Sequence, residues 1–289
     1  MLDVGVVAVL NGLAIGFLLF VVAVGLSLVF GMMDVLNLAH GALFLTGAYI
    51  AWSVAGQQPS WLGWLAALAV ATAVGAVAGG GLSLLTGPLA DRTHLEQALL
   101  TLGVALVVAD LLSILFGHDV RAVNPPAGLT GTVTAAGSTY PVYRLALIGL
   151  GAATALAMHL AVERTRLGAL VRATVADREM VAAVGVDARI VRAGVFVAGS
   201  VLATTAGVLG SPIYNAGPGL DSTILILALV VVVIGGLGSV RGALVAALLI
   251  GQIESTGRAL LSDLASFLLF GALAVVLAVR PRGLFGGRA

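Results

Sequence analysis

Residues 4–30 read VGVVAVLNGLAIGFLLFVVAVGLSLVF, 27 residues from Val4 to Phe30 without a charge. A helix rising 1.5 Å per residue crosses the roughly 30 Å hydrocarbon core of a bilayer in about 20 residues. This stretch is therefore long enough to span a membrane. It is too long for the apolar core of a signal peptide and has no basic residues before it. The same reading applied outward gives further uncharged or nearly uncharged runs. They lie at about Leu38–Ala55, Trp61–Leu85, Leu95–Phe116, Val142–Val162, Ala193–Tyr214 and Leu264–Val279. The long run Ser222–Gly257 is interrupted by the glycine-rich 235–242 and reads as two spans joined by a tight turn. The runs are continuous rather than alternating, which argues against a β-barrel.

Composition agrees. Hydrophobic residues make up 60% of 289, and charged residues only 9%, where a soluble domain carries about 25%. Mean hydropathy is +1.15. So few charges cannot cover a soluble surface. The expected fold is all-α, a single polytopic transmembrane bundle of eight or nine spans occupying residues 1–289. A net charge of +1 gives no reason to expect nucleic acid as a partner.

Two residue types are missing. With no Cys there is no disulfide or thiolate chemistry, and with no Lys there is no P-loop lysine or Schiff base. The chain cannot itself be a P-loop ATPase. The four histidines have no metal-ligand spacing, so no metal site is expected. No Ser-His-Asp set or G-x-S-x-G pattern suggests an enzyme. Gly235–Gly242 lacks the G-x-G-x-x-G pattern of a dinucleotide loop.

The arginines orient the bundle. Six lie in Glu163–Arg192 (Arg164, Arg166, Arg172, Arg178, Arg189 and Arg192) and three after Val279 (Arg280, Arg282 and Arg288). With nine crossings Arg92 and Arg241 share that side, leaving Arg121, Arg144 and Arg258 opposite. The positive-inside rule makes the arginine-rich side, and the C-terminus, cytoplasmic. The external segment Gly117–Pro141 carries alternating Thr and Val around 131–139, which predicts a short hairpin.

Glu163–Arg192 holds 10 of the 27 charges. Asp177 is an expected N-cap of a short helix, Glu179 an acid in its first turn, and Gly185 its C-terminal stop. Met180, Val181, Ala183 and Val184 give it an apolar face, and Ala182 and Ala183 permit close approach. Composition alone leaves docking on a partner and packing on its own helices both open.

Within the spans, Asp110 is the deepest ionisable residue, a candidate partner for a substrate ammonium or a gate; the alternative is an inter-helix hydrogen bond or an arginine pair. Asn37 and His40 suggest a pathway or hinge element where a helix breaks, or a cap and turn. Glu96 reads as a first-turn acid. Gln252 and Glu254 line or seal the outer end. Gly12/Gly16, Gly75/Gly79 and Gly238/Gly242 are small-x-x-x-small pairs, each weak in a chain with 39 glycines.

Glu179-Met-Val-Ala182-Ala183-Val-Gly185-Val186 resembles the E-x-x-A-A-x-x-G loop of importer-type ABC permeases. Several stretches resemble the LivH-type permeases of branched-chain amino-acid ABC importers. They are Asn11–Leu13, Gly31–Ala42, Arg164–Gly168, Gly235–Ala243 and Arg280–Gly286, so the resemblance covers residues 10–286. It implies a non-catalytic permease of the bacterial inner membrane, forming half of a translocation pathway for branched-chain or related amino acids. It implies a coupling loop at about 163–192, in which Asp177, Glu179, Ala182, Ala183 and Gly185 meet the ATPase. The implied partners are a paralogous permease in a heterodimer, two cytoplasmic ATPase subunits that bind ATP and Mg, and an extracytoplasmic substrate-binding protein. An ion-driven secondary transporter of small polar solutes is the alternative, and only Asp110 lies deep enough to begin its charge relay.

Overall fold

The structure, a computed structural model, describes residues 2–33, 35–56, 59–89, 92–135, 138–260 and 265–285. Among the described residues the α-helices are α1 (Leu2–Met33), α2 (His40–Ile50, continued by a π-turn at Ala51–Ala55), α3 (Trp61–Thr86), α4 (His94–Phe116) and α5 (Val142–Arg164), then, after two short helices α6 (Arg166–Ala176) and α7 (Arg178–Ala183), α8 (Ala188–Tyr214), α9 (Leu220–Gly235), α10 (Val240–Leu260) and α11 (Ala265–Val279). Among the described residues, five helices are long and apolar enough to cross a membrane by themselves. The expected hairpin forms between β1 (Thr132–Ala135) and β2 (Ser138–Pro141), paired antiparallel.

Helix α1 is the axis of the bundle, and most of its surface is buried by its neighbours. It lies antiparallel along α10. Gly12 faces Gln252, and a Cβ on Gly16 would come within 2.9 Å of the Ala247 carbonyl and the Leu248 Cα. It crosses α8 where Gly25 and Gly199 meet, each lacking the Cβ that would strike the other's carbonyl at 2.8–2.9 Å. Helix α8 in turn lies along α3, with Gly79 against Val197 and Gly75 against Val201. Two of the three small-residue pairs noted in the sequence thus lie at close helix approaches; of the third, Gly238 is in the α9–α10 turn against Gly31 and Gly242 abuts Gly235. This is the packing a membrane favours, because lipid tails are as apolar as leucine and only close contact rewards association.

A pattern emerges that the sequence did not show. Long α1 pairs with α10, and long α8 pairs with α3. Each long helix is followed by a shorter one, α2 or α9, that packs on the other long helix, and α2 and α9 also touch. Since α1 and α8 enter from opposite ends, this is the arrangement of an inverted repeat. Helices α3, α4 and α5 lie at the periphery and expose large aliphatic side chains such as Leu84, Leu106, Ile114 and Leu156.

The arginines segregate as charge counting requires. Arg121, Arg144 and Arg258 lie at the hairpin end. The others lie at the opposite, arginine-rich end, except Arg288, which is outside the described residues. At that end the α9–α10 turn is built on Gly236 and Gly238, with φ of +94° and +74°. The tail after α11 docks on it, Leu284 and Phe285 donating backbone hydrogen bonds to Ile234 and Gly235. Placing a β-branched side chain at Gly16 should overpack the α1–α10 seam and cost about 1–3 kcal/mol. Gly16→Val should therefore lower the melting temperature in detergent, whereas Gly80→Val, where a Cβ meets nothing within 4 Å, should not.

Candidate functional site

Two regions carry the sequence-marked residues: the short helices at the arginine-rich end and the break between α1 and α2.

At the first, α5 turns sharply into α6. The Thr165 hydroxyl accepts a hydrogen bond from Gly168 N (3.2 Å), capping α6, and Gly168 packs on the Val162 carbonyl so closely that a Cβ would overlap it. The Arg164–Gly168 stretch is therefore a corner, and it opens an amphipathic helix that the sequence reading left unassigned. The available signal was Thr165 as a cap followed by Leu167, Leu170 and Val171 at helical spacing.

Helix α7 begins where expected. Asp177 Oδ1 accepts from Met180 N at 2.8 Å. The side chain of Glu179 lies outside the described residues. The helix ends in a Schellman motif: Val186 N donates to Val181 O (3.2 Å), and Gly185 N to Ala182 O (3.0 Å). Gly185 has φ +87°, a conformation glycine adopts without the Cβ penalty. Asp187 then caps α8 by accepting from Arg189 N at 2.8 Å. Caps on both sides fix α7 at the head of α8.

The face of α7 is informative. Val181 is buried against the bundle, whereas Met180 (63% exposed), Val184 (72%), Ala182 and Ala183 face outward. The apolar face read from the sequence is thus divided, and most of it is presented away from the protein. Beside it, Ala182, Gly185, Val186, Asp187, Ala188 and Arg189 line a shallow hollow of about 390 Å³. The end of α5 is tied to the start of α10 by Arg241–Glu163 at 2.6 Å, with His159 Nδ1 3.3 Å from the same carboxylate.

At the second region, α1 ends at Met33 and α2 starts at His40. Asp34 lies outside the described residues. The non-helical 35–39 is held by Thr101 of α4, whose hydroxyl donates to Leu36 O (2.9 Å) and accepts from Leu38 N (3.1 Å). Thr101 was missed in the sequence; its only mark was a hydroxyl in an apolar span. Asn37 and His40 are both fully buried. Asn37 Oδ1 accepts from Ala39 N, and His40 Nε2 donates to the Val22 carbonyl of α1 at 2.9 Å. Asn37 Nδ2 and His40 Nδ1 remain buried with no hydrogen-bond partner among the described residues. The cap-and-turn and the helix break coexist: Asn37 braces the turn, and α2 starts against the middle of α1, inside the bundle rather than at its end.

Asp110 is elsewhere. It lies nine residues beyond Thr101 on α4, about 13 Å along the helix axis, and it is exposed on the outer face of α4. Neither an inter-helix hydrogen bond nor an arginine pair holds it among the described residues, so the structure does not bring it together with Asn37 and His40. Glu96 lies in the first turn of α4 as expected. At the hairpin end, Gln252 donates to Val9 O and Ser255 to Ala8 O, closing the α1–α10 seam, and Glu254 pairs with Arg258 one turn on within α10 at 2.6 Å.

This arrangement is that of a polytopic helical membrane protein with a short exposed helix at its arginine-rich end. The model of the family described as branched-chain amino acid transport system, permease component, matches residues 8–278. The chain belongs to that family. It is 29% identical to the high-affinity branched-chain amino acid transport system permease protein BraD of Pseudomonas aeruginosa, over 96% of this chain and 94% of the relative. It is 26% identical to LivH of Salmonella typhimurium and of Escherichia coli K12, each over 96% of this chain and 94% of the relative. No solved structure matches the chain. As a permease component of an ABC importer, it is a non-catalytic membrane subunit that works with ATPase and substrate-binding partners.

Removing the Asp177 cap should cost about 1 kcal/mol locally. Asp177→Ala should therefore speed amide hydrogen exchange across 178–184 and leave the melting temperature of the bundle unchanged.

Proposed function

We propose that this chain forms half of the translocation pathway of an ATP-driven importer for branched-chain or related amino acids, with a paralogous permease as the other half. Two ATPase subunits bind ATP and Mg, and a soluble protein delivers the substrate from outside. The supporting observation is the capped, outward-facing α7. A helix of six residues has little stability of its own. Here two aspartates and a Schellman turn hold it so that Met180, Ala182, Ala183 and Val184 stay available to a groove. Asp177, Glu179, Ala182, Ala183 and Gly185 form the ATPase-coupling site. The positive-inside rule supports a cytoplasmic arginine-rich end and C-terminus, and the bacterial permease relatives support an inner-membrane location.

The pathway reading rests on the α1–α2 break. Unpaired polar atoms are costly in a membrane interior, so Asn37 and His40 are assigned to a segment that moves or is wetted during transport. Asp110, exposed on an apolar helix and without a partner among the described residues, is assigned to a surface that the second permease subunit or the pathway covers. Family membership favours ATP-driven transport over an ion-driven carrier.

Ala182→Glu should place an unmatched carboxylate in the docked interface. In proteoliposomes holding the whole complex, substrate-stimulated ATPase activity should fall by about tenfold or more, and uptake with it. Unchanged coupled activity in this variant and in Gly185→Glu would remove α7 from the coupling role.

A further inference from the structure

Between α1, α5, α6 and α8 the structure contains an apolar cavity of about 450 Å³. Leu28 of α1, Met158 of α5, and Val195 and Ala198 of α8 form its depths. Its mouth, at the arginine-rich end, is marked by Leu167 (74% exposed) and Ile190 (72%). Ala198 lies ten residues into α8, so the cavity reaches about 15 Å from the head of that helix. That is about half the hydrocarbon thickness of a bilayer. The hydroxyl of Thr165, the only polar side chain in the wall, is spent on the Ala161 carbonyl. Such a wall offers nothing to an amino acid or a nucleotide.

The mouth has the opposite character. Arg166 adjoins Leu167 in the chain, Arg172 adjoins Val171, and Arg189 adjoins Ile190. Arg172 donates to the carbonyl of Val162, a wall residue, which fixes one cation at the rim. Arg166 and Arg189 are exposed. The nearby acids are engaged: Glu163 is held by Arg241, and Asp187 caps α8. An apolar slot about half a bilayer deep, whose lining residues Leu167, Val171 and Ile190 each adjoin an arginine in the chain, matches an acyl chain carrying an anionic headgroup.

We propose that this cavity takes an acyl chain of an anionic phospholipid from the cytoplasmic leaflet, with the headgroup phosphate on Arg166, Arg172 and Arg189. The lipid would wedge the α5–α6 corner against α8, the helix whose head carries α7. Gly194 provides the means to test it, since it lines the cavity, is exposed, and a Cβ there meets nothing within 4 Å.

The whole importer complex is purified in detergent, exchanged against equal phosphatidylglycerol and phosphatidylcholine, and its retained lipid measured by native mass spectrometry. The wild-type complex should retain phosphatidylglycerol over phosphatidylcholine by about fivefold or more. Gly194→Trp should fill the slot and abolish retention, while keeping the wild-type melting temperature. The double variant Arg166→Gln with Arg189→Gln should still retain lipid but lose the preference, and it carries the test should Gly194→Trp fold poorly. Equal retention of the two lipids by wild type would overturn the proposal. So would wild-type retention by Gly194→Trp, or retention only after the ATPase subunits are stripped, which would give the cavity to the ATPase.

Discussion

At Gly25 and Gly199 the backbones of α1 and α8 touch, and at Gly16 the same is true of α1 and α10. In water a bundle is held by expelling solvent from apolar faces. In lipid that term is nearly absent between helices, and close backbone approach takes its place. The rest of the molecule depends on this constraint. Because α1 is held on two sides by contacts only glycine permits, it becomes a buried axis. The break after Met33 therefore opens into the interior of the bundle, and α8 is fixed rigidly against that axis.

The geometry suggests how force applied at one end reaches the interior. Helix α7 is joined to α8 through the short Gly185 turn and the Asp187 cap. A displacement of α7 would be felt at the head of α8, which crosses α1 at Gly25 and packs on α2, and at the end of α6. His40 bonds to Val22, less than one turn from that crossing. The Glu163–Arg241 pair gives a second connection, from the end of α5 to the α9–α10 turn. That pair is exposed and contributes little to stability; its value lies in where it connects.

The spans were legible in the sequence because continuous apolar runs have few competing explanations. Their boundaries agree within a few residues for α1, α3, α4, α5 and the divided α9–α10 pair. So was α7, where Asp177 and Gly185 carry local signals that tertiary context did not override. Helix α6 was missed because its charges obscured its apolar face. The inverted repeat was invisible because it is a relation between contacts, and divergent sequences can make the same contacts. The glycine pairs were ambiguous for a statistical reason: with 39 glycines, spacing alone cannot tell a contact from coincidence. The surroundings of Asp110 were illegible for a geometric one. Depth along a helix can be counted in the sequence, but the face a residue occupies is set by its neighbours, and α4 turns Asp110 outward.

The absence of cysteine gives a direct test of the coupling role, since any introduced thiol is unique in this chain. The measurement is cross-linking of Ala183→Cys to single cysteines lining the groove of the ATPase subunit, with and without nucleotide. If α7 is the coupling helix, a cross-link forms at short spacer length and its yield changes with nucleotide state. No cross-link to any groove position, in a complex that still transports, would contradict it.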